Sequence, residues 1–143
     1  MRYFTLAEAE RLIPEVERLV REALARKSEH DAAEEALKLQ LQRIQLAGGS
    51  LVDRSAILSL RSRRETAARG VQRSLQAADE LGVLVKDLDI GLIDFLTRYH
   101  DRDVCLCWKL GEDRIRFWHS TEDGFRGRHR IDEEFLANHR GDD

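Results

Sequence analysis

From Leu6 to Leu81 apolar residues recur every three or four positions, and after Gly82 they alternate. A period of 3.6 places them on one side of a helix, and a period of two on one side of a strand. That change of period dictates a helical first part and a β second part. The chain has 143 residues, about the length of one domain. The expected class is therefore α+β: a long antiparallel helical hairpin over residues 1–82, then a small antiparallel sheet of two hairpins over 83–131. Residues 132–143 are expected to form a short helical turn and a frayed tail, all within a single domain of residues 1–143.

Thr5-Leu6-Ala7-Glu8 has the form of a capping box, in which the threonine hydroxyl and the Glu8 carboxylate satisfy each other's free amides. Tyr3 and Phe4 are placed to staple the chain to the first turn. Leu6, Ala9, Ile13, Val16, Val20 and Ala23 form one stripe, and Ala33, Leu37, Leu41 and Ile44 resume it. The polar residues between are good helix formers, so the spacing predicts one helix from Thr5 to about Leu46. Pro14 lies inside it and removes one amide bond, which predicts a kink or loosened first turns. Ala47-Gly48-Gly49-Ser50 stops the helix, and Asp53 or Ser50 can cap the next. Ile57, Leu60, Ala67, Val71, Ala78 and Leu81 carry that second helix to Gly82.

Two narrow stripes facing each other leave apolar area open. A sheet laid across the hairpin or a second copy of the chain is needed to cover it, so a homodimer through the helical hairpin is expected. The first helix is net acidic from Glu8 to Glu35. The second is basic, with Arg54, Arg61, Arg63, Arg64, Arg69 and Arg73 against Glu65. An arginine run of this kind suits a phosphate backbone, but it also suits a solvated face that complements the acidic helix. The net charge of −3 argues for the second meaning, since general nucleic-acid binders carry a basic excess.

Beyond Gly82, Val83–Lys86 and Leu92–Phe95 read as a hairpin around Asp-Leu-Asp-Ile-Gly. Thr97–Asp103 reads as a polar connection. Val104–Leu110 and Arg114–Ser120 read as a second hairpin turning at Gly111-Glu112-Asp113, and Glu122–Ile131 as a glycine-containing loop with one more short strand. Alternation places Cys105, Cys107 and Lys109 opposite Val104, Leu106 and Trp108. The second group is expected to be the core face, joined by Ile115 and Phe117, with His119 at its end near the sheet edge.

Several of these stretches, "GVLVKDLDIGLIDF", "CWKLGE", "WH" and "GFRGR", together with "YFTLAEAERLIPEV" at the start, resemble the domain-of-unknown-function 2203 family of prokaryotic proteins. The similarity spans nearly the whole chain. It implies a helical hairpin with a small antiparallel sheet and supplies no activity. The matching positions are Lys86, Asp87, Leu88, Gly91, Asp94 and Phe95. They continue with Cys107, Trp108, Gly111, Glu112, Trp118, His119, Gly124, Phe125, Gly127 and Arg128. The chain departs from the pattern at Leu96, where a proline is expected, and at Asp101-Arg102-Asp103, where Gly-Arg is expected.

Three kinds of chemistry compete. Asp94, Glu112 and His119 are candidate acid–base groups, since two carboxylates beside an imidazole can move protons when their affinities differ. Cys105, Cys107 and His119, with His100 or Asp94, include the ligand types zinc prefers, but Cys-x-Cys lacks the usual structural spacing, so no metal and no cofactor are expected. Cys107 as a nucleophile has no activator beside it, and His119 is expected on the other face of the sheet. Asp94, Glu112, Trp118, His119 and Arg128 together supply the aromatic and charged anchors typical of a binding surface.

No P-loop, HExxH, nucleophile elbow or GxGxxG occurs. No run of about 18 apolar residues occurs and the N-terminus lacks an apolar core, so neither a membrane span nor a signal peptide is expected. On a strand, Cys105 and Cys107 lie roughly 6.5–7 Å apart, a poor span for a disulfide, which suits a reducing cytoplasm. The expected function is a cytoplasmic, non-enzymatic interaction or small-ligand-binding module. The alternative is a small acid–base enzyme, hydrolase-like, using Asp94, Glu112 and His119. A weaker third is nucleic-acid binding through Arg61, Arg63 and Arg64.

Overall fold

The computed structural model describes residues 1–49 and 53–142. The two helices are α1 (Leu6–Leu46) and α2 (Arg54–Glu80). The capping box forms in full. Glu8 N–H donates to Thr5 Oγ1 at 3.2 Å, and Thr5 N–H donates to Glu8 Oε1 at 2.9 Å. The next free amide, Leu6 N–H, donates to His139 Nε2 at 2.9 Å. Pro14 does not interrupt α1, which continues through it to Leu46. Asp53 caps α2 by accepting from Ala56 N–H at 3.0 Å, while the other candidate cap, Ser50, lies outside the described residues. Gly82, with φ of 87°, ends the helical half in the left-handed region that favours glycine.

The chain divides into two compact units. One is Arg21–Ser74, the far part of the hairpin. Its helices run antiparallel: Arg64 pairs with Glu34 at 3.1 Å, and Gly70 receives the aliphatic part of Arg26, which a Cβ would meet at 2.8 Å. Ala33, Leu37 and Ala67 are buried along this seam, whereas Leu39, Leu41 and Leu58 are at least half exposed. The other unit, Met1–Val20 with Leu75–Asp143, contains the sheet.

The strands are β1 (Leu84–Asp87), β2 (Leu92–Tyr99), β3 (Arg102–Lys109), β4 (Phe117–Ser120), β5 (His129–Arg130) and β6 (His139–Arg140). They are antiparallel in the order β1-β2-β3-β4-β5, with β6 also on β2. A 3₁₀ turn, Phe125–Gly127, precedes β5, and a short helix α3 (Glu133–Asn138) precedes β6. Asp132 caps α3 through Phe135 N–H at 2.8 Å.

Two expectations change. The polar stretch 97–103 is not a connection. β2 and β3 run through it and turn on His100-Asp101 alone, with φ of 51° and 60°. A two-residue turn with both φ positive matches the twist of its strands. Residues 139–142 do not fray either. His139 and Arg140 pair with Tyr99 and Arg98, and Asp142 N–H donates to Tyr3 O at 3.1 Å.

The register brings a third correction. Cys105 lies opposite His119 and Cys107 opposite Phe117, while Leu106 lies opposite Trp118. Directly opposed residues share a face. Phe117 and His119 therefore join the cysteines, and Trp118 joins Leu106 and Trp108. Ile115, expected in a strand, is buried in an irregular turn before β4. His119 is not an edge residue; only 3% of it is exposed.

Candidate functional site

The register builds the site. Asp94 on β2 faces Cys107 on β3, and His119 on β4 follows on the same side of the sheet. All three are buried. His119 Nε2 lies 3.0 Å from Asp94 Oδ1, and one donor atom from each of Asp94, Cys107 and His119 lies within 4.8 Å of the others. The second ring nitrogen, Nδ1, lies 2.6 Å from the Ser120 carbonyl. A carbonyl can only accept, so Nδ1 carries a proton. The carboxylate at Nε2 favours a proton there as well. The Asp94 hydrogen bond, with a further one from Cys107, raises the His119 pKa to about 10 against the cost of burial. Burial, with the charge on Asp94 next, pushes the Cys105 thiol up to about 12.

The remaining candidates lie in two other places. Glu112 closes the turn between β3 and β4, accepting from Lys109 N–H at 2.7 Å, while its carbonyl accepts from the buried Trp108 indole at 3.0 Å. Its carboxylate also takes both contacts of Arg128 Nη2, at 2.8 and 3.1 Å, and the same nitrogen reaches the Cys107 carbonyl at 3.3 Å. The Arg128 guanidinium sits over Phe117 at 4.1 Å and Phe125 at 4.6 Å. Glu112 is thus committed to a turn and an arginine, and no bond joins it to Asp94 or His119 among the described residues. Trp118 is on the opposite face. Its ring meets Tyr99, His129 and Phe135 at 5.2, 4.8 and 5.2 Å. Beside it opens a cleft of about 540 Å³, lined by Arg102, Asp103, Ser120, Glu122, Asp123 and His129 among others.

Cys107, weighed from the sequence as a metal ligand and as a nucleophile but not kept among the binding residues, is a member of the central cluster. The signal that would have found it is the pairing of Cys107 with Phe117 across the turn. Phe117 and Trp118 are both large and apolar, so alternation alone does not say which faces the cysteines.

The pattern of the uncharacterised conserved proteins DUF2203 matches residues 2–131. The chain belongs to that family. No curated protein and no solved structure matches it. The DUF2203 match spans both helices and strands β1 to β5, and so includes Asp94, Cys107, Glu112, His119 and Arg128.

Proposed function

We propose that this DUF2203 protein is a non-enzymatic small-ligand-binding module that works as a homodimer in a prokaryotic cytoplasm. The observation that carries the reading is the division of labour between the faces of the sheet. The groups able to move protons, Asp94 and His119, are sealed from water and bonded to each other, where a substrate does not reach them. The open concavity is instead on the Trp118 side. Its wall combines the Trp118 indole with carboxylates at Glu122 and Asp123, the Arg102 guanidinium and the His129 imidazole. Such a wall suits a flat, polar molecule that stacks on the ring and bonds at its rim. Arg128 and Glu112 support the site indirectly, by tying the β4–β5 connection to the β3–β4 turn.

The test is a screen of small polar aromatic compounds by saturation-transfer NMR on the wild type, Trp118→Ala and Asp123→Ala. Binding that weakens at least tenfold in either variant supports the module. Binding indifferent to both, or turnover of a bound compound, overturns it, and turnover lost with Asp94→Asn would revive the acid–base alternative.

The homodimer rests on the far hairpin unit. Between its helices lies an open groove of about 330 Å³ floored by Ala32, Ala33, Ala36 and Leu60. Small residues allow a second helix pair to approach closely, and Leu39, Leu41 and Leu58 flank the seam exposed. Sedimentation equilibrium should give twice the chain mass, and a monomer at every concentration would exclude this part of the reading. Two free buried cysteines on one strand agree with a reducing compartment. Among the described residues no helix is long and apolar enough to cross a membrane.

A further inference from the structure

We infer that Asp94, Cys107 and His119 form a binding site for a thiophilic divalent cation of the zinc type, clamping β2, β3 and β4 together.

The first support is convergence. Three adjacent strands each contribute one donor, a carboxylate oxygen, a thiol sulfur and an imidazole nitrogen, all mutually within 4.8 Å. Among the described residues no other trio of His, Cys, Asp and Glu gathers in this way. The second is orientation. Ligating histidines fix their ring by donating the other N–H to a carbonyl or carboxylate. Here Nδ1 meets the Ser120 carbonyl at 2.6 Å, which leaves Nε2 aimed into the cluster.

The same geometry rejects the other use of these residue types. In a Cys-His-Asp relay the imidazole holds the carboxylate on one nitrogen and the thiol on the other. Here Nε2 holds the Asp94 carboxylate and Nδ1 the Ser120 carbonyl, so neither nitrogen is left to take the thiol proton, and the whole group is buried. That is the arrangement of a point to be shared, not of a chain along which a proton is passed.

Charge decides the class of ion. A thiolate and a carboxylate with a neutral imidazole carry two negative charges, which a dication cancels. A buried site then holds no net charge. The cation replaces the Nε2 proton and the thiol proton, and both go to solvent. Sulfur and nitrogen donors select zinc-like metals over calcium or magnesium, which take oxygen. Cys105 lies opposite His119 on the same face of the sheet, next to this trio.

Because the cluster is closed to solvent, the metal enters as the chain folds. The experiment therefore unfolds the reduced full-length protein and refolds it with Co²⁺, which reports its own ligands. The expected result is one Co²⁺ per chain after gel filtration, with a thiolate-to-cobalt band in the near ultraviolet and the strong visible bands of four-coordination. Zn²⁺ should abolish both, and the thermal midpoint should rise with either metal. Cys107→Ser should weaken Co²⁺ retention at least tenfold and remove most of the thiolate band. Where that variant does not refold, the wild-type bands and their loss to Zn²⁺ decide alone. Failure of the refolded wild type to retain Co²⁺, or a thiolate band unchanged in folded Cys107→Ser, overturns the site. The ligand screen on the Trp118 face is a separate measurement, so either reading can fail without the other.

Discussion

His119 Nε2 and Asp94 Oδ1 meet at 3.0 Å across the width of β3, with 4% and 2% of their side chains exposed. Neither strand bonds to the other, so this contact and the β3 backbone are what tie β2 to β4 on that face. Removing one charge of a buried pair leaves the other without compensation, at a cost of about 3–5 kcal/mol. Asp94→Asn in metal-free protein is expected to lose about that much in urea unfolding. A double change, Asp94→Asn with His119→Gln, should recover part of it, because no isolated charge remains.

Gly91 stands where two requirements coincide. Its φ is 68°, and a Cβ there would meet the Leu110 Cβ at 2.4 Å, while its carbonyl accepts from Leu110 N–H at 2.9 Å. Gly91→Ala combines left-handed strain with overpacking and should destabilise by about 2–4 kcal/mol. Gly111→Ala provides the comparison: φ is 103° but nothing lies within 4 Å of a Cβ. Strain acts there without a clash, so equilibrium unfolding should show a smaller loss.

The turn at His100-Asp101 carries two non-glycine residues at positive φ. Replacing them by Asn-Gly, the favoured pair for such a turn, should stabilise the protein by about 1 kcal/mol. The exposed contacts given up, His100 with Glu134 and Asp101 with Arg140, are worth little each. Chemical denaturation of His100→Asn/Asp101→Gly against wild type checks this, and a loss of stability would mean that those contacts hold the C-terminal strand in place.

The capping box gives a pH signature. The Thr5 backbone and side-chain bonds hold the Glu8 carboxyl below its ordinary value of 4.5. A depressed folded pKa means the stabilisation is present above the unfolded value and is lost as pH falls through the folded one. Unfolding free energy should therefore decline on acidification below about pH 4.5 more steeply in wild type than in Glu8→Gln. Equal slopes in the two proteins would remove Glu8 from that role.

How much of this was legible in the residues depends on which signal carried it. The helices were, because their stripes are long and their stops explicit: Thr5 and Glu8 at one end, Gly82 at the other. The β2–β3 turn was not, because His100-Asp101 lacks the glycine that announces such a turn, and because Thr97, although polar, is buried with its hydroxyl on the Arg140 carbonyl at 3.1 Å. The grouping of Asp94 with His119 as candidates was legible from residue type. Residue type also set Cys107 beside them as a possible metal ligand, but their shared face was not legible, since it depends on a cross-strand register that places Phe117, rather than Trp118, beside the cysteines. The irregular residues 113–116 interrupt the alternation that would have carried that register across the turn.

The outer edge of β2 is closed by three short pieces of chain far apart in sequence. β1 covers Leu92–Asp94, Phe4 N–H bonds the Leu96 carbonyl at 2.7 Å, and β6 covers Arg98 and Tyr99. On the ribosome the helices and the central hairpin emerge well before His139. Until then part of that edge has no partner, and unpaired edges are where nascent chains stick to one another. The sheet's protection is therefore complete only once His139 and Arg140 have emerged, which makes this short strand a late seal against misassembly during birth.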